Sequence, residues 1–147
     1  MQKERWNDRA GGFNPVSAPD YLPRTQSREV QSQRLRAVVA RTWHNVALLR
    51  ERMQARGVTP DAIGSIDDIA ALPFTVKADL RDTYPFGLFA SPMDEVVRLH
   101  ASSGTTGKPI VVAYTQEDLD VWTEAMARTF AACGLHRGDI LQNAFGY

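Results

Sequence analysis

The residues with the clearest chemical reach lie in Val96-Val97-Arg98-Leu99-His100-Ala101-Ser102-Ser103-Gly104-Thr105-Thr106-Gly107-Lys108-Pro109-Ile110-Val111-Val112-Ala113-Tyr114. Two β-branched runs flank a centre made almost wholly of Ser, Thr and Gly, with a lysine at its end. The runs read as strands and the centre as the loop joining them. Gly104 and Gly107 can adopt positive φ and bring the backbone close to a ligand without a Cβ in the way. Ser102, Ser103, Thr105 and Thr106 supply hydroxyls for anionic oxygens, and successive N–H groups in such a turn can form an anion nest. Lys108 adds a compact charge suited to phosphate. Holding a polyphosphate is the chemistry this set serves best. The alternative is a flexible surface loop with an incidental lysine, because short Gly-rich motifs recur by chance.

The loop is not a Walker A sequence. Counting back from Gly107 puts Ser102 where that pattern needs its first glycine, and Pro109 replaces the magnesium-binding hydroxyl. Nor does it carry G-x-G-x-x-G, so a dinucleotide-binding fold is unsupported.

The elements that must position the loop follow from periodicity. Residues 1–26 carry Gly11-Gly12, Pro15, Pro19 and Pro23 among polar residues and read as an extended arm. Residues 27–92 read as mainly helical. Ser27 is an N-cap with Glu29 in the first turn. The helix it opens runs to about residue 56, burying Leu35, Val38, Val39, Trp43, Val46, Leu49 and Met53 in one stripe. Arg50, Arg52 and Arg56 suit its negative end, and Gly57 is the expected stop. Ser65-Ile66-Asp67-Asp68-Ile69 predicts a capped turn, and Thr75 to Leu80 a second short helix ending before Pro85. Tyr84-Pro85-Phe86-Gly87-Leu88-Phe89 predicts an aromatic plug between layers.

Residues 93–147 read as the start of an α/β layer. Thr115-Gln116-Glu117-Asp118 has capping-box spacing. The helix after it places Leu119, Trp122, Met126, Phe130 and Cys133 at threes and fours and ends at Gly134. That pattern makes Cys133 a buried small hydrophobe. Arg137-Gly138-Asp139 reads as a turn into a third strand, Ile140 to Tyr147. The fold class is therefore α/β: a helical amino-terminal segment, then the start of a mixed sheet with packed helices. A crossover helix followed by an unfinished strand is a poor end for a domain, so a piece of a larger protein is expected.

Composition narrows the function classes. Of 147 residues, 44% are hydrophobic and 23% charged, which is ordinary for a globular domain. The net charge is zero but uneven: residues 1–57 hold 11 Lys and Arg against 5 Asp and Glu, and residues 58–147 hold 6 against 12. The basic residues form no dense run, so nucleic acid is not an expected partner; the imbalance points to mutual attraction of the two parts or to a missing remainder of the chain. One cysteine excludes an internal disulfide, and His44, His100 and His136 show no metal-ligand spacing, so no metal site is expected. No apolar run reaches membrane-span length and the start lacks a signal-peptide core, leaving a cytoplasmic protein with no membrane partner as the default.

His100-Ala101-Ser102-Ser103-Gly104-Thr105-Thr106-Gly107-Lys108-Pro109 closely resembles the phosphate-binding loop of the adenylate-forming enzymes. Leu72-Pro73-Phe74-Thr75 with Lys77, Tyr84 to Phe89, Asp139 to Tyr147 and the helix near Ser27 are similar to the phenylacetate–CoA ligase family within them. The resemblance covers about residue 20 onward. It implies an acid–thiol ligase in which a carboxylate attacks ATP to give an acyl adenylate and pyrophosphate, and coenzyme A then displaces AMP. It implies ATP, Mg2+ and coenzyme A, a phenylacetate-like aryl acid as substrate, and the remainder of a ligase chain as partner. Ser102, Ser103, Gly104, Thr105, Thr106, Gly107 and Lys108 would grip phosphate oxygens, and Phe145 would wall an aryl pocket. Phe145 also reads as an ordinary inward strand aromatic. The family's adenine-, ribose- and magnesium-placing segments and its mobile carboxy-terminal domain have no counterpart in these residues. No catalytic residue is identified, and turnover by this chain alone is not expected. The alternative class is a non-catalytic module that binds nucleotide or a partner, with an open sheet edge favouring dimers.

Overall fold

The computed structural model describes residues 14–102, 107, 109–136 and 138–144. These fall into two compact units, one of residues 23–119 and one of residues 14–22 with 120–144. The architecture is mostly helical, with one two-stranded antiparallel sheet.

The larger unit starts with α1 (Arg24–Asn45) and α2 (Ala47–Ala55). A single helix from Ser27 was expected; α1 begins three residues earlier, after Pro23, whose fixed φ suits a helix start. The helix also breaks at Val46, where φ is −118° and ψ 100°. Val46 is 1% exposed, so the break takes a β-branched side chain into the interior. Hydrogen bonding continues through it: the Val46 amide donates to Thr42 O at 2.9 Å, and Arg50 N–H donates to Val46 O at 3.1 Å. The Arg50 guanidinium donates to the carbonyls of Trp43 (3.0 Å) and His44 (3.2 Å), supplying donors that a continuous helix would draw from residues 47 and 48.

α2 closes with a Schellman motif. Gly57 N–H reaches Gln54 O and Val58 N–H reaches Met53 O, both at 2.9 Å, with Gly57 at φ +65°, a region a glycine enters without strain. The core is Val39, Met53 and Ile63, with Leu35, Trp43, Val58 and Leu72 packed against it. The expected stripe therefore holds at Leu35, Val39, Trp43, Val46 and Met53 but not at Val38, which is half exposed.

Short elements then wrap this core. Ser65 caps a 3-10 helix (Ile66–Ala71) as the sequence predicts, with Asp68 Oδ2 accepting from Ser65 N–H at 2.8 Å. Buried Ser32 joins α1 to that turn: its hydroxyl donates to Arg28 O and accepts from Ile66 N–H. Arg28 pairs with Asp67 beside it. α3 (Lys77–Asp82) ends before Pro85 as expected. Its Asp79 carboxylate is buried and takes both Arg52 guanidinium nitrogens at 2.6 and 2.7 Å, plus Val76 N–H at 2.8 Å. Arg52 also donates to Phe74 O, and Arg56 to Leu72 O. The Arg52 guanidinium, with help from the Val76 amide, holds the Asp79 carboxyl below the ordinary carboxylate range. Arg28–Asp67 and Arg52–Asp79 both join the basic first part to the acidic remainder, as the charge imbalance suggests.

The aromatic segment is not a buried plug. Tyr84 and Phe86 are exposed and Phe89 is half buried, with Phe86 and Phe89 in tilted contact at 5.1 Å. The hairpin follows as β1 (Val96–Ala101) and β2 (Val111–Thr115), then α4 (Gln116–Ala132). Thr115 ends β2 and caps α4, its amide and hydroxyl donating to Asp118 Oδ2 at 2.9 Å, which confirms the capping box.

In the smaller unit, Pro15–Tyr21 form a 3-10 helix capped by Asn14 rather than an extended arm. Asp20 is paired with Arg128, and that hydrogen bond holds its carboxyl below the usual range. α4 ends at Gly134 (φ +79°) in a second Schellman arrangement, with Leu135 N–H on Phe130 O. None of its residues is buried, and Trp122 and Met126 are exposed. Cys133 is likewise exposed, a correction to the buried position its spacing suggested. Residues 139–144 form no strand; Ile140 is 98% exposed, because no neighbouring strand pairs with them among the described residues.

Candidate functional site

β1 and β2 pair antiparallel, with Arg98 opposite Tyr114, Leu99 opposite Ala113, His100 opposite Val112 and Ala101 opposite Val111. The register shifts once, between Val96 and Arg98, so one strand carries an extra residue and the ribbon twists there. The His100 and Tyr114 rings meet edge-on at 5.1 Å, a contact that braces the hairpin just below the loop.

The base of the loop is stitched from both sides. Ser102 N–H donates to Ile110 O at 3.0 Å, and Ile110 N–H donates to Ser102 Oγ at 2.9 Å. The hydroxyl of Ser102 thus accepts one bond while keeping its own hydrogen to give. Gly107 sits at φ +127° with nothing within 4 Å of where a Cβ would be. Its glycine is therefore required by the backbone angle and not by crowding. Ser103, Gly104, Thr105, Thr106 and Lys108 lie outside the described residues, as does Phe145.

Of the predicted phosphate contacts, Ser102 and Gly107 are thus the two placed, one at the base of the loop and one within it. The sequence reading missed Ile110. It enters through its backbone amide and carbonyl, and no residue type signals such a role.

No family model matches the chain. In sequence it is 50% identical over 126 residues to the phenylacetate-coenzyme A ligase of Thermus thermophilus, covering 86% of this chain and 28% of that protein. The phenylacetate-coenzyme A ligase of Aromatoleum evansii is 49% identical over 137 residues, 93% of this chain and 30% of the relative. The chain thus spans less than a third of the length of the curated relatives it matches. Among solved structures, 2-hydroxyisobutyryl-CoA ligase in complex with 2-HIB-AMP and CoA superposes with a TM-score of 0.74, over 92% of this chain and 30% of that one, at 24% identity. An open conformation of the same ligase gives 0.71. In fold the chain is similar to about a third of the 2-hydroxyisobutyryl-CoA ligase chain, and in sequence it resembles the phenylacetate-coenzyme A ligases.

Proposed function

We propose that this chain supplies the polyphosphate-gripping loop of an ATP-dependent acid–thiol ligase acting on a phenylacetate-like aryl acid. The observation that carries this reading is a hairpin loop stitched at Ser102 and Ile110, with Gly107 at positive φ, in a chain half identical to phenylacetate-coenzyme A ligases. The first step transfers the adenylyl group of ATP to the carboxylate with loss of pyrophosphate; coenzyme A thiol then takes the acyl group and AMP leaves. Charge on the departing pyrophosphate must be neutralised and held in line. Ser102, Ser103, Gly104, Thr105, Thr106, Gly107 and Lys108 do this, the hydroxyls and amides by donation and Lys108 by charge. Phe145 lies against the aryl ring.

Mg2+ accompanies ATP in this reading. Among the described residues no group of three His, Cys, Asp or Glu side chains could hold a metal ion. No helix of the described residues is long and apolar enough to cross a membrane. The remainder of a ligase chain completes the reaction, and the 147 residues alone bind nucleotide without turnover.

The test is ATP titration together with pyrophosphate release, in the presence of phenylacetate and Mg2+, on this chain and its Lys108→Ala variant. Loss of one charge-assisted phosphate contact, about 1.5–3 kcal/mol, should weaken ATP binding by about 10–100-fold. Equal ATP affinity in the two proteins would refute the loop assignment. Pyrophosphate release by the chain alone would refute the need for further segments. A second reading, a binding module that works through an open sheet edge, is favoured by the outward-facing Val97 and Leu99 of β1. It predicts concentration-dependent dimers and ATP binding insensitive to Lys108.

A further inference from the structure

One face of the hairpin carries a further contact beneath the loop. Residues alternate along a strand, so Arg98 and His100 share a face of β1, and the register sets Tyr114 and Val112 of β2 opposite them on that same face. The His100 ring reaches diagonally across the ribbon to the Tyr114 ring, edge-on, with centroids 5.1 Å apart and planes at 62°. Such diagonal contacts lie within the range of a favourable aromatic pair. His100 is exposed and Tyr114 half-buried. Between these rings and the loop lie the ladder pair of Ala101 with Val111 and the stitch of Ser102 to Ile110.

A two-stranded ribbon is marginal in water on its own, and no third strand joins this sheet among the described residues. Side-chain pairs across the strands then decide how firmly its end is held. On the opposite face the last pair is Ala101 with Val111, and an alanine gives a valine little to pack against. The ring pair is the larger contact near the loop. Donors that must meet an anion in one arrangement bind it best when their backbone is fixed beforehand. We infer that His100 and Tyr114 are positioning residues for the phosphate loop: their ring contact fixes the end of the hairpin and, through Ser102 and Ile110, the aim of the loop that starts there. They act through the backbone and not by touching phosphate. The inference rests on the polyphosphate reading of the loop, but the coupling of the rings to the loop base is measurable without ATP.

The test combines ATP titration in the presence of Mg2+ with amide hydrogen exchange. The samples are the 147-residue chain, His100→Ala, Tyr114→Leu, their double variant, His100→Phe and Tyr114→Phe. Removing either ring should weaken ATP binding and speed exchange at the Ile110 amide by about three- to tenfold, the range of an aromatic pair. The double variant should fall no further than the single ones, because the two rings make a single contact. His100→Phe and Tyr114→Phe keep both rings and should stay within about twofold of the parent chain. A His100 that held phosphate through its own N–H would lose as much in the Phe variant as in the Ala variant, which overturns the inference. Exchange at the Val58 amide, bonded to Met53 O where α2 ends, should not change; a rise there too would make the rings a general support of the unit and overturns it. Unchanged ATP affinity in the ring-removing variants overturns it as well. A parent chain that binds no ATP, or binds it equally after Lys108→Ala, refutes the loop's assignment and takes this role of the rings with it. Ile110 exchange separates that failure from a failure of the rings to hold the loop base.

Discussion

Ser102 carries two duties that its hydroxyl can divide: it accepts from Ile110 and can still donate outward. Ser102→Ala should therefore loosen the loop base before it touches the rest of the fold. Hydrogen exchange at the Ile110 amide should speed up by about tenfold, in line with loss of a bond worth about 1 kcal/mol, while Val112 exchange stays unchanged. Unaltered exchange at Ile110 would show that the bond is not formed in solution. Gly107→Ala meets no obstructing atom but must hold φ +127°, so a cost of about 1–3 kcal/mol falls on the loop conformation alone. ATP affinity should drop with the thermal midpoint nearly constant; a large fall in the midpoint would place Gly107 in the stability of the whole unit instead. These residues were legible because Ser, Thr and Gly advertise a loop. Their stitch to Ile110 was not, because it runs through backbone atoms common to every residue.

At the level of elements, caps and glycine stops were the most readable features. Ser65 with Asp68, Thr115 with Asp118, and the stops at Gly57 and Gly134 are local, requiring only residues within one turn of each other. The break at Val46 was not readable, since its apolar side chain fits the helical stripe and its cause is tertiary. The guanidinium of Arg50 covers two freed carbonyls from across the break. Arg50→Met keeps the stem and removes those donors; it should cost about 1 kcal/mol in urea unfolding with the helical circular dichroism signal retained. A neutral result would mean that water covers Trp43 O and His44 O as well as Arg50 does. The third strand failed for a related reason: a strand is defined by the strand beside it, and none of the described strands pairs with residues 139–144.

For the molecule as a whole, the sequence is about half identical to phenylacetate-coenzyme A ligases over less than a third of their length, and the fold is similar to part of a CoA ligase at about a quarter identity. The exposed faces of α4 and the aromatic segment show where periodicity misled, because a helical stripe reports what a helix can bury and not what stands opposite it. Acid should act on the molecule through two carboxylates. Asp79 and Asp20 both have folded-state values held below the ordinary range by arginine hydrogen bonds. A lowered value adds stability that is present above the unfolded carboxylate pKa, about 4, and is lost as pH falls through the lowered value. The thermal midpoint should therefore be level above about pH 5 and fall below about pH 4. Asp79→Asn should lower the plateau and flatten the fall. The same pH profile in the variant would remove Asp79 from acid unfolding.

Arg52 and Arg56 grip the segment between Leu72 and Asp79 by its carbonyls, at Phe74 O and Leu72 O. What they read is spacing and not identity. Many side chains are interchangeable at positions 72 and 74 as far as these arginines are concerned, but the count of residues from there to Asp79 is not. Thr75→Gly should be absorbed with a small loss of stability, whereas one glycine inserted after Thr75 should move Asp79 out of step with Arg52 and unfold the segment. Comparable melting of the two variants would mean that the arginines follow the chain instead of measuring it. Here the fold keeps a ruler: it tolerates spelling changes and rejects an extra letter.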